Sequence, residues 1–172
     1  RQWREFVSNA KSMFLPTSQH QYYIFSDRKA PTNLPEDITW CLAPVEKSHG
    51  NSKGCWLPTL PAELLGKYDF IFCFKSPLLF KRQVGVDFLS DSPKELVVVQ
   101  HPKYVNRPPN RLPFERNSRS SAFVPKGEGL YYVTDQLVGG SPLAYSAMVE
   151  SIHRHHCSDF RNGVVAEGLL EA

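Results

Sequence analysis

Between Trp3 and Phe14 apolar residues recur at helical spacing. Trp3, Phe6, Val7, Ala10, Met13 and Phe14 share one face, with Arg4, Ser8, Lys11 and Ser12 opposite. The spacing predicts an amphipathic helix, stopped by Pro16. Gln21 to Asp27 is rich in aromatic and β-branched residues and predicts a strand with a polar pair at its carboxyl end. Residues 28–66 show no sustained period. They are rich in proline and glycine, hold a polar run over 46–54, and predict only a short strand over Ile38 to Leu42. Long irregular segments in compact domains are usually functional or mobile, and here a mobile loop is the favoured reading. Phe70 to Phe74 is then a continuous apolar run, closed by Lys75, Ser76 and Pro77. A run without polar alternation suits a strand buried on both faces of a parallel sheet. Pro77 cannot donate a ladder hydrogen bond and biases Ser76 away from helix, so the strand ends there.

Beyond this central strand, Val84 to Leu89 predicts a short turn or helix, and Glu95 to Gln100 a third strand that delivers His101 and Pro102. Lys103 to Pro113 reads as loop. Ser121 to Val124 and Leu130 to Val133 read as short strands flanking the turn Pro125 to Gly129. Gly139, Gly140, Ser141 and Pro142 open the last strong helix, with Ser141 as N-cap and Pro142 at the first helical position. It should run to about His156. There are no internal repeats. The pattern predicts one α/β domain over residues 1–172, with 28–66 as its irregular segment. In open α/β sheets ligands bind outside the carboxyl ends of such strands, so Lys75, Ser76 and Pro77 are the first place to look for chemistry.

The 172 residues suffice for one domain with a real core, and the 14 prolines point to many broken elements. A net charge of +3 is mild. It favours an anionic small ligand slightly and gives no argument for nucleic acid. The longest apolar runs are about five residues, and a bilayer span needs roughly 20, so no membrane-spanning segment is expected in this chain. Cys41, Cys55, Cys73 and Cys157 are scattered with no CxxC pair. Cys73 reads as a core thiol. An oxidising compartment would allow Cys41 and Cys55 to bridge, and the sequence leaves the compartment open.

Several segments together resemble one family. Leu112 to Arg116, Ser121 to Gly129 (SAFVPKGEG), Tyr131-Tyr132 and Gly139-Gly140-Ser141 are similar, in order and spacing, to motifs of glycosyltransferase family 6. This is the family of the histo-blood-group A and B transferases and the α-1,3-galactosyltransferases. Upstream, Tyr22 to Asp27, Cys73 to Asp87 and His101-Pro102 resemble further motifs of the family. The resemblance covers most of the chain outside 28–66. It implies a glycosyltransferase-A-like α/β fold, a mixed sheet flanked by helices, incomplete relative to the family at both ends. It also implies retaining transfer of galactose or N-acetylgalactosamine from a UDP-sugar donor to a glycan acceptor. The implied location is the Golgi lumen in a eukaryote, or a soluble form in a bacterium.

Carried over residue by residue, the resemblance places Tyr23, Lys75, Ser76, Thr134, Asp135 and Gln136 on the donor side. His101 falls on the acceptor side, and Glu171 at the catalytic carboxylate. The family holds Mn²⁺ with an Asp-x-Asp after the central strand, where the ion neutralises the leaving diphosphate. Those positions read Lys75 and Pro77 here, neither of which ligates a hard cation, so no metal cofactor is expected. The small residues that leave room for the donor sugar read Thr134, Asp135 and Gln136, which fill that space or need partners of their own. Glu115 and Arg116 read as holding their loop. The rival to transfer is a catalytically degenerate member that binds a glycan or protein, and the replacements at 75 and 77 favour it. A third reading uses His153, His156 and Cys157, which fall on one helix face at a spacing that suits a transition metal. A polar helix end whose histidines suit the C-terminal dipole explains them more simply.

Overall fold

The computed structural model describes residues 2–42, 58, 62–75, 78–89 and 95–164. Their contacts gather into two compact units. One holds the described residues of 1–47 and 76–89, the other those of 48–75 and 90–172.

The first unit is built on α1 (Gln2–Met13), whose apolar stripe buries Val7 and Ala10. β1 (Tyr22–Ser26) and β2 (Ile38–Leu42) pair in parallel, Tyr22 opposite Ile38 and Ser26 opposite Leu42. Lys11 Nζ lies 2.5 Å from Asp37 Oδ2, and the indoles of Trp3 and Trp40 meet edge to face at 5.8 Å. After α1 the chain turns through Leu15 at φ 48°, a left-handed conformation common just past helix ends but unfavourable for a branched side chain. Burial of Leu15 and paired backbone bonds hold it there. Leu15 N donates to Val84 O at 2.8 Å and Val84 N to Met13 O at 2.6 Å. Phe14 stacks on Phe80 at 5.0 Å, and Asn9 Oδ1 accepts from Phe80 N at 2.6 Å. The short turn or helix expected over Val84 to Leu89 is a single 3₁₀ turn at Val86–Phe88.

The second unit contains α2 (Ala62–Leu65), β3 (Ile71–Phe74), β4 (Leu96–Gln100), β5 (Val133–Gly140) and α3 (Pro142–Arg161). Its sheet has the order β3-β5-β4, with both pairings antiparallel. This corrects the expectation for Phe70 to Phe74. β3 is a half-buried edge strand of an antiparallel sheet among the described residues, and the middle position belongs to β5. An aromatic apolar run reads the same whether it is flanked on one side or two. Here Ile71 and Cys73 pack toward the α3 core, while Phe72 stacks beside Phe70 with ring centroids 6.4 Å apart.

β5 escapes the sequence pattern beyond Val133, because Asp135, Gln136, Gly139 and Gly140 are poor strand formers. Pairing on both sides overrides that propensity. The two glycines serve the close approach of their neighbours. A Cβ on Gly139 would stand 2.4 Å from the Ile71 carbonyl oxygen, and one on Gly140 (φ 148°) 2.6 Å from that of Glu95. Ser121 to Val124, expected as a strand, begins in a turn and continues without regular structure, and of the strand expected over Leu130 to Val133 only Val133 belongs to one, the start of β5.

Ser141 caps α3 as expected, its Oγ accepting from Ala144 N at 3.2 Å, with Pro142 in the first turn. Tyr145, Val149 and Ile152 recur on one helix face and pack on Val138, with Ile71, Cys73 and Met148 at the margin. Each such burial stabilises by about 2 kcal/mol. The helix continues past His156 to Arg161, where the buried Asp159 anchors its last turn. A second cluster of Leu112, Phe114 and Tyr132 lies under Tyr104 and Val124. Cys41, Cys73 and Cys157 form no disulfide among the described residues, and Cys55, the partner considered for Cys41, lies outside them.

Candidate functional site

β3 and β4 both run antiparallel to β5, so their carboxyl ends arrive at the same end of the sheet, where β5 begins. Lys75 leaves β3 there, and His101 leaves β4. The two strand ends singled out in the sequence thus share one end of a sheet that is paired differently from the one expected.

Lys75 is held in place by its backbone, whose N donates to Gln136 O at 3.0 Å and extends the ladder past Phe74 and Leu137. On its other side β5 is irregular. Val98 faces Val138, yet Val99 faces Thr134, so residues 135–137 bulge out of the β4 ladder. Bulges bend a strand and re-aim its side chains. This one brings Asp135 to Lys75, and Asp135 Oδ2 forms an ion pair with Lys75 Nζ. Oδ1 of the same carboxylate accepts from Gln136 Nε2 at 2.9 Å. The pair is partly open to solvent, Lys75 at 42% and Asp135 at 23% side-chain exposure. Thr134 is buried and its Oγ1 accepts from Gln136 N at 3.3 Å. Burial alone would raise the Asp135 carboxyl, but the bonds from Lys75 and Gln136 and the Lys75 charge outweigh it and hold the group below its ordinary value.

His101 is fixed by its own backbone, N donating to Tyr132 O at 2.8 Å. Its half-buried ring packs against Tyr104 and Tyr132, at centroid distances of 4.9 and 6.0 Å. Nδ1 accepts from Lys103 N at 3.2 Å, which assigns the proton of the neutral ring to Nε2.

The structure thus gathers Lys75, Asp135 and Gln136 into one bonded group and puts His101 at the same end of the sheet. Tyr23 lies in β1 of the first unit, half-buried and opposite Thr39. Ser76, Pro77 and Glu171 lie outside the described residues. Arg116 holds its loop: its guanidinium reaches the carbonyls of Val124 at 2.5 Å, Pro125 at 2.6 Å and Pro109 at 3.3 Å. Glu115 Oε1 accepts from Asn117 N at 2.7 Å.

Asp159 escaped sequence reasoning. It is 2% exposed, and accepts from Ser120 Oγ at 2.6 Å and Ser121 N at 2.7 Å. A lone aspartate in a polar helix end carries no local signal of a bond to a turn far upstream. His153 and His156 are half-buried and Cys157 exposed on α3. Among the described residues no group of three His, Cys, Asp or Glu side chains is placed to hold a metal ion. No described helix is long and apolar enough to cross a membrane.

The family model for glycosyltransferase family 6 matches residues 60–171, well over half of the chain. Globoside alpha-1,3-N-acetylgalactosaminyltransferase 1 of Gallus gallus is 26% identical over 172 residues, covering 94% of this chain and 48% of that protein. Glycosyltransferase 6 domain-containing protein 1 of Rattus norvegicus is 30% identical over 170 residues, covering 92% and 53%. Histo-blood group ABO system transferase 1 of Rattus norvegicus is 28% identical over 172 residues, covering 94% and 48%. The chain spans about half the length of these relatives.

Proposed function

The chain belongs to glycosyltransferase family 6, and from that premise we propose that it is a hexosyltransferase domain. In this reading it takes galactose or N-acetylgalactosamine from a UDP-sugar and passes it to a glycan acceptor with retention at the anomeric carbon. The observation that supports the reading is the extent of the match. Residues 60–171 include every strand of the β3-β5-β4 sheet and all of α3, and with them the sheet end where Lys75, Asp135, Gln136 and His101 sit.

The proposed roles follow the family resemblance, residue by residue. By that resemblance Tyr23, Lys75, Ser76, Thr134, Asp135 and Gln136 are assigned to the donor, with Lys75 as the charge for its diphosphate. His101 offers Nε2–H to an acceptor hydroxyl, and Glu171 is the carboxylate for the anomeric centre. No metal enters the proposal. The fit fails on chemistry, since an ammonium already engaged by Asp135 and a proline ring offer no lone pair to a hard divalent cation. The proposed location is the Golgi lumen in a eukaryote, or a soluble form in a bacterium.

The Lys75–Asp135 pair favours a second reading, a degenerate member that binds a glycan or protein and transfers nothing. A cation matched by its own carboxylate is less available to a diphosphate than a bare one. Calorimetric titration with UDP, in EDTA and then in Mn²⁺, followed by transfer from radiolabelled UDP-sugars to fucosylated and unfucosylated galactosides, separates the two. The transferase reading expects equal UDP affinity in both buffers and labelled product that Glu171→Gln abolishes. Acceptor binding with no product would leave the degenerate reading standing, and UDP binding that needs Mn²⁺ would refute the metal-free site.

A further inference from the structure

We propose that Asp135 is a built-in counter-anion for Lys75, so that a diphosphate enters this end of the sheet only by taking the ammonium away from it. The inference rests on the reading of this sheet end as a UDP-sugar site.

Three features of the chain support it. First, the cation is positioned rather than loose, because the Lys75 backbone is bonded to the Gln136 carbonyl at 3.0 Å. Second, its partner is delivered by the bulge in β5, which turns Asp135 toward β3. Third, both carboxylate oxygens are engaged, Oδ2 by Lys75 and Oδ1 by the Gln136 amide at 2.9 Å, so the anion is oriented before any ligand arrives. The pair is still open to solvent on the lysine side, where 42% of the side chain is exposed.

A diphosphate carries more charge than one carboxylate and presents more acceptor oxygens. A lysine, a point charge on a flexible stem, can turn to it without moving the backbone. Asp135 does not leave when that happens. It is tethered by Gln136 and then lies beside a like-charged ligand, which weakens binding. Asp135 thus sets the affinity of the site for phosphorylated ligands, and Lys75 supplies the attraction.

The test is calorimetric titration of the whole chain with UDP and with inorganic pyrophosphate, both in EDTA. The variants are Asp135→Asn, Lys75→Met and the double substitution, with Asp135→Ser as a second neutral replacement should Asn fold poorly. Asp135→Asn keeps the shape and an acceptor for Gln136 while removing the charge. The expected result is a gain of roughly five- to tenfold in affinity for both ligands, the upper range for a partly exposed pair plus the relieved repulsion. Lys75→Met should erase the gain. A gain that persists in the double variant would show a general charge effect and overturn the inference. Equal UDP affinity across all variants would also overturn it, and with it the assignment of Lys75 to the diphosphate, while UDP binding by the chain would stand. Absence of UDP and pyrophosphate binding in every variant would sink the inference, and the transfer assay would then decide the donor reading separately.

Discussion

Replacing Asp159 with alanine should destabilise the second unit by about 3 kcal/mol. The carboxylate is 2% exposed and accepts two short bonds, from Ser120 Oγ at 2.6 Å and Ser121 N at 2.7 Å. Hydrogen bonds to a charged acceptor contribute about 1.5–3 kcal/mol each, and removing the acceptor strands the buried Ser120 hydroxyl. Against this, deleting a buried carboxylate relieves its desolvation, which brings the net to roughly 3 rather than 5. Urea denaturation should show the midpoint falling by on the order of 1.5 M at unchanged slope. Crossing Asp159→Ala with Ser120→Ala should give a coupling of at least about 1 kcal/mol. The pH dependence has a definite sign. Burial alone would raise the Asp159 carboxyl, but the bonds from Ser120 and Ser121, with the His155 charge, hold it below its ordinary value. Its contribution is therefore present above the unfolded value of about 4 and is lost as pH falls through the folded one, so wild type and variant should converge in acid. A destabilisation below about 1 kcal/mol, or zero coupling to Ser120, would refute the assignment of Asp159 as the anchor of this turn.

Gly140→Ala places a Cβ 2.6 Å from the Glu95 carbonyl at a backbone φ of 148°, and should cost about 3 kcal/mol. A calorimetric scan should show the melting temperature lowered by on the order of 5–10 °C, and an unchanged melt would count against the close β4–β5 approach. In the first unit, burial pushes the His20 imidazole below its usual value, a backbone bond to Leu15 opposes this, and the Lys11 charge adds to it. A depressed histidine stabilises fully above about pH 6.5 and loses that contribution as pH falls through the folded value. Wild type should then lose more stability than His20→Gln between pH 7 and 5, and parallel profiles would contradict it.

The legible parts of the fold were those where one local rule acts alone. α1 shows a clean apolar stripe, β2 is a short β-prone stretch, and Ser141 with Pro142 announces a helix start by side-chain chemistry that needs no tertiary partner. β5 was hidden because its residues obey tertiary demands. Gly139 and Gly140 thin the strand for its neighbours, and Asp135 sits in a bulge, which no hydrophobic period encodes. The turn at Ser120 and Ser121 was misread for the same reason, since its partner, Asp159, lies on a helix far downstream.

The same blindness separates the two halves of the candidate site. Read singly, Lys75 is a basic residue where the family resemblance calls for a carboxylate, and Asp135 an acidic one where it calls for a small neutral side chain. Together their charges balance at one place. A half-buried aspartate without a donor would be driven toward its neutral form. That penalty does not arise when Lys75 Nζ meets Asp135 Oδ2 across the β3–β5 edge. Lys75 and Asp135 therefore act as one neutral unit at the β3–β5 edge. Reverting only Lys75 to aspartate would put two carboxylates against each other and destabilise the sheet end, whereas adding Asp135→Gly should restore the lost stability. Non-additive unfolding energies in that double-mutant cycle would confirm that the pair acts as a unit. Additive ones would mean that the two side chains contribute separately.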